Sequence, residues 1–146
     1  MIRAARPGDA AQVAACARSA YARYIPLIGR KPAPMLADVP AQIAAGQVSV
    51  WDGDGGVLGY TVAFAHEDAW FLESIAVAPE AAGHGIGRAL MQHFEDSGRA
   101  RGFSRATLYT NAKMVENLAI YPHLGYEETA RRVEGGFDRV WFAKAL

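Results

Sequence analysis

Residues Ile75 to Leu90 read IAVAPEAAGHGIGRAL: an apolar run, three alternating glycines at Gly83, Gly85 and Gly87, and then the start of a helical pattern. Glycine is needed where a backbone must take positive φ or let another group come close. A helix N-terminus carries unpaired N–H groups and a partial positive charge, a combination suited to phosphate. Strand, glycine turn and helix in this order predict a diphosphate cradle, with an ordinary tight turn as the alternative. Spacing excludes two nucleotide motifs. The dinucleotide fingerprint Gly-x-Gly-x-x-Gly would need its third glycine at Arg88 or Leu90. A Walker A loop needs Gly-Lys-Ser/Thr, where this chain has Gly87-Arg88-Ala89.

The elements around the stretch follow from periodicity and punctuation. Ile2 to Arg6 reads as a strand ended by Pro7-Gly8, after which Asp9 and Gln12 form a capping box for a helix to about Tyr24. Pro26, Gly29, Pro32 and Pro34 break the segment YIPLIGRKPAPM, which reads as a lid over a pocket or as an ordered connection. A short helix is expected from Leu36 to Ala45. Gln47–Trp51, Val57–Ala65 and Ala69–Val77 read as a strand meander, with Asp52–Gly56 as a hairpin turn and Pro79 as its end. The helix after the glycines puts Ile86, Leu90 and Phe94 on one face and closes at Gly102. A strand from Phe103 to Tyr109 follows, then a helix capped by Thr110 or Asn111 from about Ala112 and limited by Pro122 and Gly125. A terminal hairpin, Tyr126–Val133 and Phe137–Ala143, turns at Glu134-Gly135-Gly136. This order predicts an α+β fold with one mixed sheet and helices on both faces.

At 146 residues the chain is expected to form a single domain, residues 1–146. Lys+Arg and Asp+Glu are both 15, which argues against a nucleic-acid partner, since that would need a basic surplus. The one cysteine, Cys16, excludes an internal disulfide and fits a reducing, cytoplasmic setting; it reads as a small core residue. No apolar run is long enough for a membrane span, and the N-terminus lacks a signal-peptide pattern. His66, His93 and His123 lack metal-ligand spacing, so no metal is expected.

Two segments resemble the GNAT acetyltransferase superfamily, and the similarity runs through the whole element order. IAVAPEAAGHGIGRAL looks like that family's acyl-CoA-binding motif, commonly Gln/Arg-x-x-Gly-x-Gly/Ala. NLAIYPHLGYEE, Asn117 to Glu128, looks like its Asn-x-x-Ala-x-x-x-Tyr-x-x-x-Gly-Tyr/Phe segment in slightly compressed spacing. One departure is Ala82, which stands where the family usually has Gln or Arg; it removes a side-chain contact to the diphosphate and leaves the backbone donors. The resemblance implies a mostly antiparallel mixed sheet with splayed central strands. It also implies that the main chain of Ile75, Ala76 and Val77 pairs with pantetheine like an added strand. Ala82, Gly83, His84, Gly85, Ile86, Gly87 and Arg88 would hold the diphosphate, and Asn117 would contact the cofactor arm.

Amine acetylation needs a neutral amine, an aligned thioester and a proton for the departing thiolate. Tyr121 lies four residues after Asn117, on the same helix face, and the resemblance assigns its position the role of proton donor. Outside that motif it reads as an aromatic core residue. Glu73 shares a strand face with Phe71, Ile75 and Val77 by alternation, and reads equally as the base for the acceptor ammonium or as a structural carboxylate. The implied activity is direct transfer from acetyl-CoA to a primary amine of a small or amino-acid-like acceptor. Protein or peptide N-acetylation is one alternative, and an acyl-CoA-binding sensor without turnover is another. Tyr21, Tyr24, Arg30 and Lys31 suit an acceptor with an aromatic or carboxylate part. Arg131, Arg132, Glu134 and Asp138, around the last hairpin, read as solvated, although in this family that hairpin often helps form the acceptor site or a homodimer contact.

Overall fold

A computed structural model describes residues 1–146. Seven strands form one sheet in the order β1-β2-β3-β4-β5-β7-β6. The strands are β1 Ile2–Ala4, β2 Val48–Gly53, β3 Gly56–His66, β4 Ala69–Val77, β5 Arg105–Asn111, β6 Glu127–Glu134 and β7 Phe137–Ala145. The helices are α1 Ala10–Tyr21, α2 Ile25–Ile28, α3 Val39–Ala44, α4 Ile86–Ala100 and α5 Val115–His123. β4 and β5 pair in parallel, whereas β1–β2, β2–β3, β5–β7 and β6–β7 are antiparallel. The sheet is therefore mixed and mostly antiparallel, as expected. Contacts divide the chain into two compact units, Met1–Ala63 with Ser74–Phe94 and Phe64–Glu73 with Glu95–Leu146. β3, β4 and α4 each supply residues to both.

In the first unit, α1 buries Val13, Cys16, Ala17 and Tyr21, and α3 buries Val39 and Ile43. The expected capping box at Asp9 and Gln12 is not formed. Gln12 Oε1 instead accepts from the Val57 N–H of the β2–β3 hairpin at 2.8 Å. The Asp9 carboxylate accepts from the Arg6 N–H at 2.7 Å and from both terminal nitrogens of Arg3. That arrangement shortens β1 to Ala4 and turns Pro7–Asp9 into a 3-10 turn. The proline-rich segment is also more regular than expected. It contains α2 and a 3-10 turn over Ala33–Leu36, and α3 starts only where Asp38 accepts from the Ala41 N–H.

Arg3 also donates to Asp52 at 2.9 Å, so one guanidinium ties β1 to both the start of α1 and the end of β2. The Arg3 guanidinium, with the Arg6 N–H second, lowers the Asp9 pKa from 3.8 to about 2. The folded value lies below the unfolded one, so the stabilisation is complete above about pH 5 and is lost as pH falls through 2. Asp9→Asn is expected to cost roughly 2 kcal/mol at pH 7, with the deficit shrinking steadily towards pH 2, as read by urea unfolding across that range.

In the second unit, β5 pairs with β7 along its full length, Arg105↔Ala145 to Asn111↔Arg139. The parallel ladder of β4 with β5 spans Trp70↔Ala106 to Leu72↔Leu108. Leu72, Ala106, Leu108, Val140 and Phe142 are buried. Glu95 is buried with them because its carboxylate accepts from Tyr126 Oη at 2.8 Å and from Lys144 Nζ at 3.0 Å. α5 begins at Val115, three residues later than expected. Asn111 Oδ1 accepts from the Lys113 N–H at 3.0 Å and makes a turn of its own before the helix.

Candidate active site

The first unit contains the glycine turn. β4 ends at Val77, Pro79–Ala81 makes one 3-10 turn, and Ala82 is extended and exposed. Gly83 and Gly85 have φ of +83° and +78°, conformations that side-chain-bearing residues rarely adopt, and a Cβ on either would meet no atom within 4 Å. Backbone conformation accounts for both glycines, and the space beside them is open. The first helical hydrogen bond of α4 runs from Ala89 N–H to Gly85 O at 3.0 Å. The N–H groups of Ile86, Gly87 and Arg88 therefore precede the helical ladder and have no intrahelical acceptor. His84 and Arg88 are exposed beside them, while Ile86 is buried and anchors the turn. This donor set suits a diphosphate.

The preceding strand has one edge turned away from β3. Ala78 N–H donates to Leu58 O of β3 at 2.8 Å. Backbone groups alternate along a strand, so Ala76 points the same way, and the N–H and C=O groups of Ile75 and Val77 point to the opposite edge. On that edge the Tyr21 hydroxyl donates to Ile75 O at 2.5 Å. The end of α1 is thus tied to the strand expected to pair with pantetheine. Two residue-level contacts, Tyr21–Ile75 and the close approach at Gly59, were not apparent from sequence. A Cβ on Gly59 of β3 would lie 3.0 Å from Ala76 O, 3.0 Å from Leu90 Cδ1 and 3.2 Å from Ile86 Cγ2. Gly59 lets α4, and with it the glycine turn, sit close to the sheet. Tyr24 is buried with its hydroxyl accepting from Arg23, and Arg30 and Lys31 are exposed.

Cys16 lies in the core of the same unit. Burial, with the Glu80 charge second, pushes its thiol up to about 11, so the thiolate is scarce at neutral pH. The native thiol is expected to react with a thiol-specific disulfide reagent at pH 8 at least ~100-fold more slowly than in denaturant.

The second unit contains the other expected residues. Asn117 Nδ2 donates to Thr110 Oγ1 at 3.0 Å, which joins α5 to the end of β5 and fixes the amide orientation. Tyr121, one turn further on, is buried, with its ring 6.0 Å from that of Tyr126 and 5.7 Å from that of Phe142. Glu73 is half-buried, and its charge helps raise the Tyr109 pKa, behind the larger effect of burial. Thus Glu73 neighbours an aromatic group. Phe71 stacks on Trp141 at 5.5 Å, and Tyr109 lies 5.7 Å from Phe71 and 5.2 Å from Trp141. No group of three or more His, Cys, Asp or Glu residues has a metal-holding arrangement, and no helix is long and apolar enough to cross a membrane.

A profile of the acetyltransferase (GNAT) family matches residues 19–126, which include both β4 with its glycine turn and the Asn117–Tyr121 helix. The chain belongs to the GNAT family. Its GNAT relatives include N-alpha-acetyltransferase 80 of Mus musculus, 43% identical over 56 residues, 38% of this chain and 17% of that protein. The mycothiol acetyltransferase of Beutenbergia cavernae is 36% identical over 87 residues, 58% of this chain and 29% of that one. The match therefore spans less than a third of either curated relative. In fold the chain is similar to the PaiA N-acetyltransferase of Thermoplasma acidophilum, solved in complex with coenzyme A. That likeness has a TM-score of 0.82 at 16% identity and covers 100% of this chain and 98% of the other.

Proposed function

We propose that this GNAT chain is an acetyl-CoA-dependent N-acetyltransferase acting on a primary amine of a small or amino-acid-like molecule, with residues 1–146 working as one domain in the cytoplasm. The observation that carries the reading is the start of α4, where the first-turn N–H groups follow the Gly83–Gly85 turn and the outer edge of β4. The donor nucleotide supplies an acetyl thioester. Ala82 to Arg88 hold its diphosphate, Ile75 to Val77 line its pantetheine through main-chain groups, and Asn117 contacts its arm. Coenzyme A in the PaiA structure supports that choice of ligand.

Glu73 takes a proton from the acceptor ammonium, and the amine nitrogen forms its new bond to the acetyl carbon as the carbon–sulfur bond breaks. Tyr121 gives a proton to the departing sulfur, and the amine's second proton leaves to solvent. Products are the amide and free CoA. Direct transfer is favoured over an acyl-enzyme because the one cysteine is buried with a raised pKa.

Calorimetry with acetyl-CoA, followed by free-CoA release over a panel of amines and peptides, tests the reading. Binding with turnover of small amines supports it, and a preference for peptides moves the acceptor to protein. Binding without turnover across the panel replaces the enzyme with a sensor. Failure to bind any acyl-CoA overturns both.

A further inference from the structure

In the second unit, one face of the β4–β5–β7–β6 sheet forms an aromatic floor with a charged rim. In-register pairs share a face, so Phe71, Tyr109 and Trp141 come together through Phe71↔Thr107 on β4–β5 and Tyr109↔Trp141 on β5–β7. The same register brings Arg139 beside Asn111 and places Arg132 of β6 directly opposite Arg139. The Arg139 guanidinium lies 4.1 Å from the centre of the Tyr109 ring and that of Arg132 lies 5.0 Å from Trp141. Neither has a carboxylate within ion-pair distance, whereas the adjacent Arg131 is held by Glu128 at 3.0 Å. Two like charges directly across a strand pair are destabilising unless something neutralises them. Stacking on a ring leaves the N–H edges of a guanidinium available, and that edge fits a carboxylate bidentately.

Opposite charge is present on the same floor. Glu134 accepts from Trp141 Nε1 at 2.7 Å, and the charges of Glu73 and Glu134 both act on the Tyr109 phenol.

We infer that this face binds the acceptor as a zwitterion: a free amino acid with a flat or apolar side chain, its carboxylate on Arg132 and Arg139, its body on Phe71, Tyr109 and Trp141, and its amine towards Glu73. The inference rests on the acetyltransferase reading and deepens it by naming its acceptor class. Product is then an N-acetyl amino acid.

The test is calorimetry on the full chain, with and without saturating CoA, using L-phenylalanine, L-tyrosine and L-methionine against their carboxamides. At least one acid is expected to bind ten-fold or more tightly than its amide. Arg139→Met and Arg132→Met should each weaken the acid far more than the amide and so erase most of that difference, and Arg139→Lys should restore part of it. No acid binding, equal binding of acid and amide by the wild type, or equal weakening of both ligands by the variants overturns the proposal. The wild-type comparison stands even if a variant fails to fold. Acid-selective binding with no CoA release would keep this site and discard the enzymatic reading. Turnover of amines without acid preference would do the reverse.

Discussion

Tyr121→Phe is expected to lower kcat and kcat/KM for acetyl transfer together, by ten-fold or more, while leaving acetyl-CoA affinity nearly unchanged. The ring is buried against Tyr126 and Phe142 at centroid distances of 6.0 and 5.7 Å. Phenylalanine keeps the ring and its packing, so the change is confined to the hydroxyl and what it does. A core tyrosine without a chemical role would leave kcat intact whatever the change in stability. Steady-state kinetics well below the variant's Tm separates the two, provided a burst-phase experiment shows that chemistry is rate-limiting. An unchanged kcat under that condition removes Tyr121 from the proton transfer. A fall in kcat/KM caused only by a raised KM would instead make it a binding residue.

How far the sequence foretold the structure depended on whether a feature was set by neighbours along the chain. β4 falls on its expected bounds, Ala69–Val77, because a turn at Glu67-Asp68 precedes it and Pro79 follows, both local punctuation. α4 likewise keeps Ile86, Leu90 and Phe94 in the core, since its period is written in fifteen consecutive residues. α1 starts directly after Asp9, as expected, but the capping box is absent because Gln12 is used by Val57, a partner on a distant hairpin. The late start of α5 reflects a local competition in which Asn111 closed its own turn instead of capping the helix.

The candidate site divides along the same line. The glycine turn and the Asn117–Tyr121 spacing are local patterns and could be named from sequence. The arginine pair could not, because Arg132 meets Arg139 only through the β6–β7 register, which shifts between Glu128 and Ala130. A one-residue error in pairing would send Arg132 to the other face. Tyr21 at Ile75 O is equally a product of tertiary packing, joining residues 54 positions apart.

Gly59 belongs with those long-range features, and its replacement is expected to have the largest effect on stability. Gly59→Val places a Cβ about 3.0 Å from Ala76 O, a main-chain atom of the neighbouring strand, and from Leu90 Cδ1, which is fully buried. Ile86 Cγ2 at 3.2 Å closes the third side, so neither strand nor helix can yield without moving the other. Overpacking of this kind costs about 3 kcal/mol, outweighing the smaller gain from stiffening a strand glycine. In a domain of this size the loss corresponds to a fall in Tm of roughly 10 °C. Gly59→Ala, with one carbon at the same point, should show a smaller drop of the same sign. Since Ile86 opens α4 directly after Gly85, the displaced helix carries the glycine turn with it. Acetyl-CoA affinity, measured by calorimetry well below the variant's Tm, should therefore fall as well, although Gly59 itself is no ligand. A destabilised variant with wild-type affinity would mean that the turn keeps its shape independently of how α4 packs on β3. Unchanged Tm in both variants would show that α4 seats on the sheet without the close approach at Gly59.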